Sequence, residues 1–238
     1  MTASISNTAA KFDPSRASEY AGQSRIALAG YDACHELAAC VLAATLGSGS
    51  PAHILVAGAG GTAQEIITAG KLEARWRFTA VDPSPPMLDL AISSVAAAGM
   101  ADRTETILGY VDDLDPHLQF DAATLIGVLH HIPSDTAKLS ALKAIGLRLK
   151  PGAPLVLACN YQRYASQPIL LAAWGERWRM AGSSPDGINA KLGKILQGAD
   201  PPDSEAAVAK LLAKAGFGEP LRFFSSLFWG AWITRRMP

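Results

Sequence analysis

The sequence predicts an α/β fold in which a doubly wound, mostly parallel sheet lies between helices. Two observations support this prediction. Short apolar segments alternate with segments of helical character, and a glycine-rich turn joins the first apolar segment to the next helix. With 238 residues, of which 49% are hydrophobic, the chain can bury one large core.

The first predicted strand, residues 54–56, stops at a glycine-rich turn. Gly58, Gly60 and Gly61 lack a Cβ, so the backbone can turn tightly and approach a ligand. Helical character returns over residues 63–67, which places the turn at a helix N-terminus, where free N–H groups gather. This order opens a nucleotide-binding βαβ unit, although a glycine-rich turn can also do no more than connect two elements.

Charge and cysteine content narrow the class of protein. Lys+Arg and Asp+Glu both number 21, so no basic field invites a nucleic-acid backbone. The three cysteines favour reduced thiols over a disulfide framework. Residues 1–12 lack an apolar signal core, and no apolar span is long enough to cross a bilayer. We therefore expect a soluble cytoplasmic protein that binds neither nucleic acid nor membrane.

Two helices are expected before the first strand. Residues 1–12 are predicted to be a disordered leader, and a helix-like region begins at residues 13–15. A second helix over residues 31–42 is apolar at helical spacing and ends at residues 47–51. The two helices form either a lid over the nucleotide unit or a cover for one face of the sheet.

Four further parallel strands are predicted at residues 77–82, 104–108, 122–128 and 155–158, with a helix over 135–149 before the last. Their ligand is expected at the carboxyl ends of the strands. Asp82 closes the second strand 24 positions after Gly58. This is near the ~20-residue spacing at which a carboxylate accepts hydrogen bonds from ribose hydroxyls. Asp82 could also cap the next helix, and the two roles can coexist.

Several motifs, taken in order, resemble those of the class I S-adenosylmethionine-dependent methyltransferases. They are Gly58-Ala59-Gly60, Val81-Asp82-Pro83-Ser84 with Met87, Asp121-Ala122-Ala123 leading to Leu129-His130-His131, Leu149-Lys150-Pro151-Gly152, and Ala215-Gly216-Phe217 before a C-terminal hairpin. The resemblance covers nearly the whole chain. It implies a Rossmann-like methyltransferase fold with a seven-stranded, mostly parallel sheet, an N-terminal helical lid and a C-terminal helical insertion. The implied division is leader and lid 1–50, cofactor-binding core 51–160, insertion 161–202, and last helix with hairpin 203–238.

More closely, the leader and the C-terminal third look like the carboxy-S-adenosylmethionine synthase branch, which acts in tRNA wobble-uridine modification. Two departures argue against that activity. Gly193 stands where that branch has an arginine that binds the extra carboxylate, and Ile126 stands where it has an asparagine. We therefore interpret the chain as a plain methyltransferase that shares the architecture.

The resemblance implies S-adenosylmethionine as the cofactor, with no metal ion. The expected contacts are Gly58, Ala59 and Gly60 on the methionine part, Asp82 on the ribose, Pro83 and Met87 beside the adenine, Tyr110, Val111 and Asp112 at the adenine edge, and Tyr31 from the lid. Val56 stands where many members have an acid that helps to hold the methionine ammonium. Gln64, Glu65 or a backbone carbonyl are the replacements that the sequence offers.

Methyl transfer requires an aligned nucleophile and a site that excludes water, and a hydroxyl acceptor is helped by a base. His130 and His131 are the candidate catalytic residues, because histidine titrates near neutrality. Alternatively, one of them shapes the loop by bonding to the backbone. His35, in the lid, is a weaker candidate for acceptor contact, for which a structural role is favoured.

The insertion is the expected place for the acceptor, since loops on a rigid scaffold commonly carry binding residues. Trp174 and Trp178 are its candidate acceptor contacts, although such a stripe is also typical of a core or of a homodimer face. The expected acceptor is an O, N or S atom of a small molecule. A small molecule is favoured over tRNA because the charge balance of the chain is neutral.

Two other functions remain open from the sequence. An NAD(P)-dependent oxidoreductase is possible because Gly58-x-Gly60-x-x-Ala63 also satisfies the dinucleotide fingerprint. Against it, no tyrosine and lysine lie four residues apart after the fifth predicted strand. A non-catalytic nucleotide-binding protein that kept the fold would bind the cofactor without turnover.

Overall fold

The structure is a computed structural model that describes residues 14–238, with side chains from Tyr20 onward. The disordered leader predicted for residues 1–12 and the first position of the predicted helical start therefore lie outside the described residues.

Seven strands form one sheet in the order β3-β2-β1-β4-β5-β7-β6. The strands are β1 Ala52–Ala57, β2 Trp76–Asp82, β3 Thr104–Leu108, β4 Ala122–Ile126, β5 Pro154–Asn160, β6 Leu221–Ser226 and β7 Trp229–Arg235. The first five are parallel, and β7 runs antiparallel between β5 and β6. The predicted α/β fold with a mostly parallel seven-stranded sheet is confirmed.

Helices cover both faces of the sheet and build the lid and the insertion. They are α1 Pro14–Ala27, α2 Tyr31–Leu46, α3 Gln64–Leu72, α4 Pro85–Ala97, α5 Asp135–Arg148, α6 Pro168–Met180, α7 Pro185–Gly198 and α8 Glu205–Lys214. Serine hydroxyls accept N–H groups of the first turn at Ser134, Ser184 and Ser204. These caps explain where α5, α7 and α8 begin.

The central strands are buried on both faces, which explains their continuous apolar character. In β1, Ile54 and Val56 pack into the core cluster on one face, while Leu55 and Ala57 pack into the cluster on the other. An alternating polar pattern would have left one face of this strand in water.

The observed elements are close to the predicted ones, with one difference near the site. The fourth strand was predicted to reach residue 128, but β4 ends at Ile126. Gly127 follows with φ +79°, a left-handed conformation that takes the chain out of the strand. A short 3-10 turn, Leu129–His131, then carries the two candidate histidines.

No single described helix is both long and apolar enough to cross a bilayer. One pair, Tyr20–Ala27 with Tyr31–Leu46, meets the length and composition test only when both helices are taken together, and it is bent by 82°.

Gly230, in the middle of β7, is required by the packing of Trp232. A Cβ at position 230 would lie 2.3 Å from the Cη2 atom of Trp232. That indole is fully buried, and its N–H donates to a carboxylate oxygen of Glu205 at 2.9 Å, so it has little freedom to move. We expect Gly230→Ala to lower the free energy of unfolding by about 1–3 kcal/mol, as overpacking does.

Urea unfolding of the two proteins measures this change. Gly193→Ala is the matched control, because Gly193 lies inside α7 and a Cβ there would meet no atom within 4 Å. The control should be unchanged or more stable by up to about 1 kcal/mol. Equal stability of the Gly230→Ala variant and the wild type would contradict this account of the strand.

Candidate functional site

The candidate site lies at the carboxyl ends of β1 and β4, where the strand order reverses. Chain connections leave in opposite directions from this pair of neighbours, so a crevice forms between them. Gly58 follows β1, and Val128 follows β4 by two residues. A Cβ on Gly58 would lie 2.3 Å from Val128 Cγ2, so the two loops touch there. The glycine turn and the histidine turn are therefore neighbours.

The Asp82 carboxylate holds the glycine turn in place. Its Oδ2 accepts the backbone N–H of Gly60 at 2.9 Å, and its Oδ1 accepts that of Ser84 at 2.8 Å. A Cβ on Gly60 would lie 2.6 Å from Oδ2 and from Met87 Cβ, so only glycine fits. Burial raises the pKa of Asp82, although the two N–H bonds oppose this shift. Each oxygen keeps a lone pair that can accept a further donor.

The lid helices lie over the turn. The ring of Tyr20 in α1 is so close to Gly61 that a Cβ on Gly61 would lie 2.3 Å from Cε1. Tyr31, the first residue of α2, has its hydroxyl 2.5 Å from the Thr62 hydroxyl oxygen. Burial raises the pKa of Tyr31 to about 12, with the Glu65 carboxyl as the next cause. The start of α2 thus lies beside the turn, while Ala38 and Leu42 further along it pack into the core on one face of the sheet, so both alternatives for these helices stay open.

The insertion holds the C-terminal end of α1. Trp174 donates its indole N–H to the carbonyl of Ala27 at 2.8 Å. Arg177 donates to the carbonyls of Ile26 and Arg25 at 3.0 and 2.9 Å. Three carbonyls at the end of the helix thus find donors on α6, which ties the lid to the insertion.

The residues predicted at the adenine end are split between the interior and the surface. Met87 is buried, and its carbonyl accepts the N–H of Gly61 at 2.8 Å. Pro83 is half-buried beside it. Tyr110 and Asp112 are exposed just beyond β3, while Val111 packs against the core.

His130 lies on the other side of the crevice and is buried with a neutral ring. Its Nδ1 faces the backbone N–H of Asn160 at 3.5 Å, which is a weak hydrogen bond. We assign the lone pair to Nδ1 and the proton to Nε2 from this contact. Burial, and then the nearby His131 and Lys138, hold the pKa of His130 well below its ordinary value. The ring of His131 lies 4.2 Å from that of His130.

Aromatic rings and neutral polar groups surround His130. The ring of Trp229 lies 5.0 Å from that of His130, edge to face. Asn160 is the register partner of Trp229 between β5 and β7, and its amide donates to the Tyr164 hydroxyl at 2.8 Å. Among the described residues, the Asn160 Oδ1 and Trp229 Nε1 atoms are buried and have no hydrogen-bond partner. These two atoms thus have unused hydrogen-bonding capacity.

The tryptophans of the insertion lie in the interior. Trp174 packs against Tyr164 and Phe228, and its N–H is already bonded to the lid. A direct contact of Trp174 with an acceptor stays a prediction. Trp178 is buried under Lys191, whose Nζ lies 4.5 Å from the ring centroid. An acceptor contact for Trp178 stays a prediction.

His35 lies on the cofactor side of the lid, where its Nδ1 is 2.8 Å from the carbonyl oxygen of Tyr31. Its Nε2 is 3.7 Å from Glu65 Oε2. Burial lowers the pKa of His35. His35 thus packs between α2 and α3, and an acceptor contact for it stays a prediction.

Asp200, in the segment after α7, is bonded both to α5 and to the histidine turn. The Lys138 side chain is 1% exposed, and its Nζ lies 2.6 Å from Asp200 Oδ2. The same oxygen accepts the N–H of Ser134, while the N–H of Asp200 donates to the carbonyl of His130 at 2.8 Å. Asp200 thereby fixes the backbone of the candidate base.

Several residues of the site were not among the predicted contacts. Tyr20, Asn160 and Trp229 come from three distant parts of the chain, and no local motif marks them. The strand pairing that places Asn160 beside Trp229 was within reach, since a C-terminal hairpin was predicted. The register between β5 and β7 could not be predicted, and a shift of one residue would have turned Trp229 to the other face of the sheet.

The residues present fit an adenosine-containing cofactor with an amino-acid tail. The glycines of the turn leave room for the side chains of Val128, Asp82 and Tyr20, which pack directly against its backbone. Asp82 offers acceptor lone pairs for ribose hydroxyls, and Tyr31 and Thr62 offer hydroxyls on the lid side.

Comparison with known protein families gives a match to part of the chain. Residues 55–155 match the family described as "Methyltransferase domain", which spans the crevice from β1 to the start of β5. A sequence search of the curated proteins gives no match.

Solved methyltransferases share the fold at low sequence identity. An O-methyltransferase family 2 protein from Planctomyces limnophilus, solved with apigenin, matches with TM-score 0.68 and 15% identity over 99% of this chain and 63% of its own. Human N-acetylserotonin methyltransferase, solved with SAM, matches with TM-score 0.67 and 15% identity over 100% and 61%. The mitomycin 7-O-methyltransferase MmcR matches with TM-score 0.61 and 19% identity over 86% and 53%. The chain thus spans between about half and two thirds of these proteins' lengths.

These comparisons confirm the class I methyltransferase fold predicted from the sequence. They do not separate the carboxy-S-adenosylmethionine synthase branch from the other branches.

Asp200 should contribute to stability through Lys138. In Asp200→Asn, a nearly fully buried ammonium loses its carboxylate. Because the Asp200 side chain is 57% exposed, we expect a loss of about 1–3 kcal/mol, less than the ~3–5 kcal/mol of a fully buried pair. The double variant Lys138→Met with Asp200→Asn removes the buried charge and should regain part of the loss. Urea unfolding at pH 7 compares the three proteins.

The difference between wild type and Asp200→Asn should depend on pH. Burial alone would raise the pKa of Asp200, but the bonds from Lys138 and from the Ser134 N–H outweigh it and lower the pKa. A carboxyl whose pKa is lower in the folded state stabilises the fold above its unfolded pKa of about 3.9. This stabilisation is lost as the pH falls further. A difference that persisted unchanged to pH 2 would show that the ion pair is not its source.

Proposed function

We propose that this chain is a class I S-adenosylmethionine-dependent methyltransferase whose acceptor is a hydroxyl group of a neutral small molecule. One observation supports this most strongly. The glycine turn held by Asp82 and the turn that carries the buried His130 are neighbours, because Gly58 meets Val128 between them. A cofactor bound on one side would present its reactive end to the other.

On the cofactor side, the protein would bind the cofactor through the Asp82 carboxylate and through the backbone of the glycine turn. When bound, S-adenosylmethionine supplies a methyl group on a positively charged sulfur, which needs no further activation by the protein. Asp82 accepts the ribose hydroxyls, and Gly58, Ala59 and Gly60 let the methionine part approach the backbone. Pro83 and Met87 border the adenine, with Tyr110, Val111 and Asp112 at its edge. Tyr20 and Tyr31 cover the site and exclude water.

On the acceptor side, the attacking hydroxyl would replace the weak 3.5 Å contact of His130 Nδ1 with the Asn160 N–H, and Nδ1 would then take the hydroxyl proton. Its ring is neutral at neutral pH, because burial disfavours the charged form. His131 shapes the same turn, and the Asp200 N–H holds the turn's backbone. The base is present in its active form without any further deprotonation.

The groups around His130 favour a neutral, ring-containing acceptor. Trp229 and Tyr164 present aromatic faces, while Asn160 Oδ1 and Trp229 Nε1 offer one acceptor and one donor. The three arginines of the insertion are engaged elsewhere. Arg163 pairs with Asp203, Arg179 pairs with Glu176, and Arg177 binds α1. An acidic acceptor would find no available charge among them.

Other features predicted from the sequence remain proposals. They include the division into lid, core, insertion and closing hairpin, the homodimer, and the cytoplasmic location. The absence of a nucleic-acid partner follows from the charge balance alone. A carboxylated cofactor, an oxidoreductase and a non-catalytic binder are the alternatives that experiment must separate.

The first test is calorimetric titration of the purified protein with S-adenosylmethionine, S-adenosylhomocysteine and NADH. We expect micromolar binding of the first two and none of NADH. Binding of NADH alone would overturn the proposed function. A screen of phenols and other neutral alcohols for methylation follows, and cofactor binding without turnover on any acceptor would favour the non-catalytic alternative.

His130→Asn tests the base. The asparagine Oδ1 can take the place of Nδ1 towards the Asn160 N–H, so the turn keeps its contact while the imidazole is lost. We expect methylation to fall by about 100- to 10,000-fold with cofactor affinity unchanged. His131→Asn is the matched control and should retain most of the activity.

The pH profile gives a second readout of His130. Because its pKa lies well below the ordinary value of 6.5, the neutral base persists as the pH falls through 6.5. The acid limb of the wild-type rate should therefore lie below pH 6.5. A limb centred at or above 6.5 would exclude His130 as the base.

A further inference from the structure

Tyr20 extends from α1 onto the backbone of the glycine turn. A Cβ on Gly61 would lie 2.3 Å from Cε1 of the Tyr20 ring and 2.7 Å from its Cδ1. The methyl carbon of Met87 would lie 3.2 Å from the same Cβ, so the ring and Met87 meet over Gly61. While the ring is there, no ligand can touch the turn at this residue.

The hydroxyl end of Tyr20 lies among residues that border the proposed cofactor site. Burial raises the pKa of Tyr20, and three nearby groups raise it further. These groups are Tyr31 at the start of α2, Glu65 in the first turn of α3 and Asp82 at the end of β2. The Tyr20 side chain therefore crosses the space between the lid and the carboxylate assigned to the ribose.

The backbone of the turn is bonded to the protein itself. The N–H groups of residues 58–61 all donate to protein oxygens, which belong to Val81, Asp82 and Met87. A ligand cannot use these N–H groups without breaking those bonds, so it must pack against the face of the turn. Tyr20 covers that face at the end of the turn.

The helix that carries Tyr20 adds little to the core. Tyr20 is the only aromatic residue of α1, and Ile26 is its only large aliphatic residue. The other residues of α1 are small or polar, so the helix buries little apolar surface. We therefore expect α1 to leave and regain its place more readily than the strands and helices of the core.

We propose that Tyr20 is an internal plug of the cofactor site. Without the cofactor its ring fills part of the site, and the ring must leave Gly61 before the cofactor can bind. This rests on the proposed function, because it concerns entry to the same site. Once the cofactor is bound, the ring returns over it as a cover. The rate of cofactor binding is then reduced in proportion to the small fraction of molecules whose site is open.

Stopped-flow measurement of S-adenosylhomocysteine binding, followed by tryptophan fluorescence, tests the plug. Tyr20→Ala removes the ring and keeps a residue that favours a helix. We expect its association rate constant to be about 10- to 100-fold higher than that of wild type, because an open form of about 1–10% no longer limits entry. Tyr20→Phe is the matched control. It keeps the ring on Gly61 and should associate within about threefold of wild type.

Tyr20→Leu serves if the alanine variant is unstable, because it keeps apolar volume without the ring and should also associate faster than wild type. The association rate constant is decisive here, and not the affinity, because loss of the cover also speeds dissociation. Binding to Tyr20→Ala but not to wild type would support the plug.

The outcomes separate the plug from the proposed function. If wild type and the variants without the ring all fail to bind S-adenosylhomocysteine, the proposed function fails. If wild type binds it and the variants without the ring associate no faster than Tyr20→Phe, the plug is overturned while the methyltransferase proposal stands.

Discussion

The Asp82 carboxylate is the contact on which the site depends. It joins the end of β2 to the glycine turn through Gly60 and to the start of α4 through Ser84. Both bonds are made by backbone N–H groups, so they fix the path of the chain and not merely a rotamer. Because the carboxylate is buried, removing it would leave two N–H groups without acceptors, which costs about 1–3 kcal/mol each. In the intact site, the two N–H bonds also hold the Asp82 oxygens in a fixed orientation, in which they can accept further hydroxyl donors.

The sequence predicted the fold well because the signals for its strands are local. The central strands are buried on both faces, so each reads as a short apolar run, and the turns between them are marked by glycine and proline. Asp82 was found by spacing alone. His130 was found because it follows a recognisable strand. Each of these positions is fixed by a few neighbours in the chain.

The rest of the site could not be predicted because it is assembled from distant segments. Trp229 faces His130 only through the register of β5 with β7, and Tyr20 reaches Gly61 only through the tilt of α1. Periodicity also cannot tell whether the ring of Trp174 faces a ligand or a neighbouring helix, and in the structure it packs against Tyr164 and Phe228. Which side chain at the start of α3 turns inward was likewise open from the sequence, and the Glu65 side chain is 11% exposed.

The hydrogen bonds from α6 to the end of α1 couple the movement of these two helices. Lifting α1 away from Gly61 while α6 stays in place would break three hydrogen bonds and leave the carbonyls of Arg25, Ile26 and Ala27 without donors. Lid and insertion are therefore expected to open together. Any movement that uncovers the glycine turn would therefore be transmitted through Trp174 and Arg177 to the helices of the insertion.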